Sequence, residues 1–315
     1  FGAGAWELST LDRPARAAMD RRRRGARDKG ELSSRPMTSS VKPRVLQIVT
    51  HLALGGAERV AFSLLHGLRD RFDFAVFAAL GVDAGAVGQS MKSELSALGV
   101  PLFAGRRLPM RYGGMIVAGV EAGRAVRRFK PDIIHVHTEM PEASYLAMTL
   151  LHPATKRIPV VRSVHNTTLW GAWHSIGLRC DRQLANAHVA GVSNDALAAF
   201  QKLRTESKAP PGPAPVLIYN GVALQTEPTL ARSAEGPCRI LFAGRFENQK
   251  GADLLPEILR KVRPPANRMH ELVIYGSGHH EPQLRALAND PPPGWSVSVN
   301  GPIANLTREM PGFDL

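Results

Sequence analysis

The sequence predicts an α/β protein made of two doubly wound, Rossmann-like domains, the second of them incomplete. Three observations carry this prediction. From Arg44 onward, short apolar runs rich in Val, Ile and Phe alternate with longer segments of helical period, the pattern of parallel strands joined by crossover helices. A polar stretch without periodicity follows Gly221-Val222, after which the alternation restarts at Arg239. The chain's 315 residues are 44% apolar, enough for two buried cores.

In the first domain, residues 41–222, strands are expected at 45–50, 73–79, 100–103, 133–137, 160–164, 189–193 and 216–219. Helices are expected at 57–69, 90–98, 115–129, 142–151, 174–187 and 195–204. The first helix is the clearest, with Val60, Leu64, Leu65 and Leu68 on one face and Arg59, His66 and Arg69 off it. A linker at 223–237 leads to a second domain at 238–315, with strands at 239–243, 272–275 and 297–300 and helices at 252–262 and 281–288. Three strands fall short of the roughly five or six of a doubly wound sheet, so this domain is expected to be partial.

The formal charge of +13 admits nucleic acid, an anionic membrane surface or phosphorylated small molecules as partners. Residues 1–40 read as a basic, disordered extension, and nucleic acid is not the expected partner. Within residues 1–36 nine Lys or Arg face five acids, including the run Arg21 to Arg24, with no apolar core of a secretory signal. No apolar run approaches the eighteen or so residues of a membrane-spanning helix. Cys180 and Cys238 lie far apart without metal or disulfide spacing, which fits a reducing cytoplasm.

In an open parallel sheet, ligands bind beyond the carboxyl ends of the strands, so the residues after each strand carry the functional signal. After the first strand comes His51-Leu52-Ala53-Leu54-Gly55-Gly56-Ala57-Glu58-Arg59. Gly55 and Gly56 form either a tight strand-to-helix turn or a surface that a phosphate or sugar can approach closely. The loop has neither the dinucleotide fingerprint nor a P-loop, which argues against NAD and ATP enzymes. His135 and His137, two apart in a strand, share a face, and His165 follows the next strand. These histidines lack a recognisable metal spacing, and no metal is expected. A strand-end histidine facing the cleft is suited to hydrogen-bond a substrate oxygen, whereas His135, deeper in its strand, reads as a buried ring satisfied by backbone.

The strongest signal follows the apolar strand Ile240-Leu241-Phe242-Ala243: Gly244-Arg245, then four residues to Lys250-Gly251 opening a helix. Arg245 on the loop and Lys250 in the first helical turn point two cations at one place, an arrangement suited to a diphosphate. In glycosyl transfer the departing nucleoside diphosphate gains negative charge as the sugar bond breaks, and fixed cations stabilise it. A second glycine loop, Tyr275-Gly276-Ser277-Gly278-His279-His280, precedes the next helix and is placed to approach a ribose or base.

With these elements in order, residues 44 to 305 resemble the family 4 glycosyltransferases, retaining enzymes of the two-domain glycosyltransferase-B fold. The resemblance rests on Gly55 to Arg59, Asp132-Ile133-Ile134-His135-Val136-His137, Ala190-Gly191-Val192-Ser193-Asn194, Tyr219-Asn220-Gly221-Val222, the Gly244 to Gly251 signature and the Tyr275-Gly276-Ser277-Gly278 loop. It implies that Arg245 and Lys250 hold the donor diphosphate, that Gly55 and Gly56 line the cleft, and that His137 sits near the transferring sugar as the catalytic residue. It implies further a nucleotide-sugar donor, no separate cofactor, front-face displacement with retention and no tightly bound metal. The acceptor would be a lipid-linked, polysaccharide or other hydroxyl acceptor bound mainly to the first domain, in a cytoplasmic protein peripheral at the inner membrane face. The family's later pair of Glu residues, seven positions apart, has no counterpart before Leu315, so the chain as given is expected to turn over poorly.

Two other readings stand beside this one. A nucleotide-sugar epimerase shares the architecture but needs acid and base carboxylates, and no pair stands out. An inactive binding module would use its basic tail on a membrane or nucleic acid.

Overall fold

Parallel strands joined through helices build two sheets, as the alternation predicts. The structure, a computed structural model, describes residues 41–53, 55–108, 112–137, 139–221, 236–265, 268–303 and 306–315. The expected extension at 1–40 and most of the linker at 223–237 lie outside the described residues. Residues 42–315 form one compact unit.

The larger sheet contains β1 (Arg44–Val49), β2 (Asp73–Ala78), β3 (Leu102–Ala104), β4 (Ile133–His137), β5 (Val160–Val164), β6 (His188–Gly191) and β7 (Val216–Leu217). They lie in the order β3-β2-β1-β4-β5-β6-β7, with every neighbouring pair parallel. The intervening helices are α1 (Gly56–Leu68), α2 (Ala86–Ala97), α3 (Gly114–Phe129), α4 (Glu139–Leu151), α5 (His174–Gln183) and α6 (Asn194–Ser207). A parallel sheet is covered on both faces, which is why its strands read as nearly continuous apolar runs. Leu46, Ile48, Ile134 and Val136 pack with Ala118, Ala122, Tyr145 and Met148 of α3 and α4. Val45, Val49, Phe74 and Val76 pack with Ala61, Phe62, Leu65 of α1 and Met91, Leu95 of α2. Small residues let α3 and α4 meet closely: a Cβ on Gly119 would fall 2.6 Å from that of Ala147.

Strand order reverses at β1, which has β2 on one side and β4 on the other. The chain leaves these neighbours toward opposite faces, so a crevice opens above the carboxyl ends of β1 and β4. Gly55 and Gly56 leave β1 there, and His137 ends β4.

The smaller sheet has β8 (Cys238–Arg245), β9 (His270–Ser277) and β10 (Trp295–Asn300), in the parallel order β10-β9-β8. Its helices are α7 (Leu255–Lys261), α8 (Glu281–Asn289) and the short α9 (Leu306–Glu309). Phe246, Leu259, Leu272, Ile274, Leu284 and Trp295 form its core. Leu315 lies beside β8 in the parallel sense, its carbonyl accepting from the Leu241 amide at 2.8 Å while Asp314 donates to the Arg239 carbonyl at 2.8 Å.

Several boundaries move from those expected. The helix expected at 252–262 is a 3-10 turn at Ala252–Leu254 followed by α7, because Pro256 is tolerated only in a first helical turn. The helix expected at 195–204 runs on to Ser207 and stops at Lys208 in the left-handed region, φ 53°. At its start the Ser193 hydroxyl accepts from the Ala196 amide at 3.1 Å. The helix expected at 90–98 begins earlier, at Ala86, and that expected to reach residue 187 ends at Gln183. The strand expected at 216–219 is two exposed residues at the sheet edge.

Candidate functional site

Register sets the first half of the site. Gln47 pairs with His135, and His137 pairs with Ser163, so alternation puts Gln47, His135, His137 and Ser163 on one face of β1, β4 and β5. The His135 and His137 rings lie with centroids 4.0 Å apart, and those of His137 and His165 stack at 5.5 Å. His135 Nε2 meets the Ser163 hydroxyl at 2.8 Å, so a side chain rather than backbone satisfies it. His137 has no exposed surface, and both its nitrogens are engaged: Nε2 with Gln47 Oε1 at 3.1 Å and Nδ1 with His165 Nε2 at 3.2 Å. His165 is half-buried just beyond β5. Burial lowers the pKa of His135 to about 3 and of His165 to about 4, and holds His137 well below the usual histidine range. All three rings are neutral at neutral pH.

Gly55 is the N-cap of α1 and offers no side chain, so the helix end is served from within its own first turn. Glu58 is buried there and its carboxylate accepts from its own backbone amide and that of His51. Burial raises the Glu58 pKa, against which these amides, His51 and Arg245 act. A Cβ on Gly55 would fall 2.0 Å from Glu58 Oε2, whereas a Cβ on Gly56 would meet nothing within 4 Å. Gly55 therefore makes room for the carboxylate, and Gly56 is the glycine that leaves open space.

On the other sheet Arg245 closes β8, and its Nη2 donates to Gln249 Oε1 at 2.9 Å. Lys250 ends a separate 3-10 turn, Asn248–Lys250, and Gly251 follows at φ 69°, so Lys250 does not sit in the first turn of α7 as expected. Both cations are exposed, and the Lys250 chain lies over Gly244, with Cγ 3.7 Å from where a Cβ would stand. The second glycine loop is zipped to this turn: the Phe246 amide donates to the Ser277 carbonyl at 2.9 Å and the His280 amide to the Phe246 carbonyl at 3.0 Å. A Cβ on Gly276 would fall 1.9 Å from the Gly244 carbonyl oxygen, and one on Gly278 2.8 Å from that of Phe246. Both glycines thus serve the approach of one loop to the other.

Two groups escape sequence reasoning. Gln47, a lone amide in the apolar strand RVLQIV, is fully buried and donates through Nε2 to the Ala61 carbonyl at 3.0 Å. Arg162, a lone cation in VVRSV, is buried on the opposite face between Glu142 and Asp181. A polar residue inside an apolar strand was the available signal, although its partners are not legible from spacing. Among the described residues no three His, Cys, Asp or Glu side chains are grouped to hold a metal ion, and no helix is long and apolar enough to cross a membrane.

Residues 54–226, more than half of the chain, match Glycosyltransferase Family 4. No curated protein sequence matches the chain. Several solved structures share its fold. HepE from Anabaena, in complex with UDP-glucose, has a TM-score of 0.62 at 15% identity, over 86% of this chain and 72% of that one. A point variant of TarM from S. aureus, in complex with fondaparinux, alpha-GlcNAc-glycerol and UDP, has a TM-score of 0.58 at 10% identity, over 87% and 80%. The lipopolysaccharide outer core galactosyltransferase WaaB, in its apo form, has a TM-score of 0.53 at 13% identity, over 85% and 70%. At such identities the likeness establishes the fold, that of the glycosyltransferase-B enzymes.

Proposed function

The chain belongs to glycosyltransferase family 4, and from that premise we propose that it transfers a sugar, with retention, from a nucleoside-diphosphate sugar to a hydroxyl acceptor. The observation that carries this reading is the Gly244 to Gly251 turn. There Arg245 and Lys250 stand exposed on one turn braced by the Gly276–Gly278 loop, and the carboxylate within that turn, Glu247, is engaged through Oε1, which accepts from the His279 amide at 3.3 Å. Two cations so placed bind a diphosphate and stabilise the charge that builds on it as the glycosidic bond breaks. UDP-glucose, held in the HepE structure, and UDP, held in the TarM structure, both contain a diphosphate that fits this chemistry.

The sugar then faces the crevice above β1 and β4, where Gly56 leaves open space and the half-buried His165, bonded to the enclosed His137, supplies a hydrogen-bonding group. The acceptor hydroxyl attacks from the face the diphosphate leaves, so the leaving phosphate can take the proton and no side-chain nucleophile is required. UDP-glucose, GDP-mannose and ADP-glucose, each with the chain, test the reading by release of the nucleoside diphosphate. Lys250→Ala should lower release at least 100-fold with an unchanged melting temperature, because its side chain is exposed. Undiminished release in that variant sinks the assignment.

A further inference from the structure

The buried face of β1, β4 and β5 contains a directional chain of hydrogen bonds. The Gln47 amide spends its N–H on the Ala61 carbonyl at 3.0 Å, which leaves its Oε1 turned to His137 Nε2 at 3.1 Å. A carbonyl oxygen only accepts, so His137 carries its proton on Nε2. Its Nδ1 then has a lone pair, and the contact to His165 Nε2 at 3.2 Å requires that His165 donate. With its proton fixed on Nε2, His165 has a bare lone pair on Nδ1, which makes no hydrogen bond among the described residues.

From this geometry we propose that Gln47 is a positioning residue that fixes the tautomers of His137 and His165, so that His165 Nδ1 is a standing acceptor for a hydroxyl of the transferred sugar. A strand-end histidine facing the sugar belongs to the transferase reading; the relay adds that the fully enclosed His137 acts through His165, with both tautomers set by Gln47. The inference rests on the transferase reading for the identity of the ligand, while the relay itself does not.

Neutral rings are a condition of the relay, and burial supplies it by holding all three histidines uncharged at neutral pH. His135 keeps apart from it by bonding Ser163, and its ring backs His137 at 4.0 Å. A hydroxyl that donates to a fixed lone pair distinguishes a sugar from its deoxy analogue, whereas a ring free to exchange tautomers accommodates either.

The test is nitrogen-15 NMR of the chain labelled at histidine, which reads the protonated nitrogen of each ring, alongside titration with the sugar nucleotide it binds among UDP-glucose, GDP-mannose and ADP-glucose and with the matching free diphosphate. Wild type should show His137 and His165 both protonated at Nε2. Gln47→Leu should release both into mixed tautomers, and Gln47→Glu, which keeps the acceptor, should restore them. In Gln47→Leu the sugar nucleotide should bind about 10-fold more weakly, the size of one lost hydrogen bond, with the free diphosphate unchanged. A His165 protonated at Nδ1 in wild type, or tautomers that Gln47→Leu leaves alone, overturns the relay. Equal weakening of sugar nucleotide and free diphosphate overturns the sugar contact. Failure of wild type to bind any of these nucleotides sinks the transferase reading instead, and the spectrum then decides the relay alone.

Discussion

Arg162 donates from Nε and Nη2 to the two carboxylate oxygens of Glu142, at 3.0 and 2.9 Å, with both side chains buried. Its Nη1 reaches Asp181 at 2.7 Å, and Asp181 also accepts from Ser207 at 2.6 Å and pairs with Arg204. One charged cluster thus ties β5 to α4, α5 and α6 beneath the loop that carries His165. Removing one partner strands the others away from water. Asp181→Ala is expected to lower unfolding free energy by about 3–5 kcal/mol, measured by urea denaturation, and a loss below about 1 kcal/mol would show that the cluster relaxes.

Gly55 and Gly56 differ in what surrounds them. Gly55→Ala must displace the buried Glu58 carboxylate from the start of α1, at about 1–2 kcal/mol, the cost of a lost helix cap. Gly56→Ala meets no neighbour and should leave the melting temperature within about 2 °C. If substrate approaches that open space, Gly56→Ala weakens sugar-nucleotide binding with the fold intact. Identical melting losses in the two variants would refute the distinction.

Gly276 faces backbone, which cannot yield as a side chain can. Gly276→Ala should cost about 2–3 kcal/mol and push the Gly244–Arg245 end of β8 out of line, so nucleoside-diphosphate affinity falls together with stability. Calorimetric titration beside a melting curve checks both. Retained affinity would show that the two loops bind independently.

Acid should destabilise the first sheet. Burial holds His165 at about 4 and His135 at about 3, against 6.5 for an unperturbed ring. Between pH 6.5 and about 4 the unfolded chain binds protons that the folded chain refuses, so stability falls as pH drops through that window. The urea midpoint should be lower at pH 5 than at pH 7, and the gap should narrow in His165→Asn. Equal midpoints in wild type would show that these rings stay accessible to protons.

Arg245 is held by Gln249 rather than by a carboxylate, so its charge is not neutralised within the turn. Arg245→Ala should lower nucleoside-diphosphate affinity by at least 10-fold, and Gln249→Ala by less, because only the orientation of the guanidinium is lost. Titration of both variants with a free diphosphate ranks them. A larger effect from Gln249 would assign the contact to the amide.

Periodicity and turn residues determined the class, because they act through neighbours a few positions apart. Short runs rich in Val, Ile and Leu at 45–50 and 133–137 read as strands, and Gly244 to Gly251 marked a strand, a turn and two cations without need of a partner. What the strand-end histidines do was decided by tertiary structure. Gln47 lies 90 residues from His137, and His137 lies 28 from His165, so their contacts exist only once parallel register has set β1, β4 and β5 side by side. For the same reason the enclosure of His137, the cluster around Arg162 and the fit of Gly276 against Gly244 could not be read in one dimension. Each depends on which distant groups share a face and how closely two backbones approach, and spacing along a single strand or loop contains neither quantity.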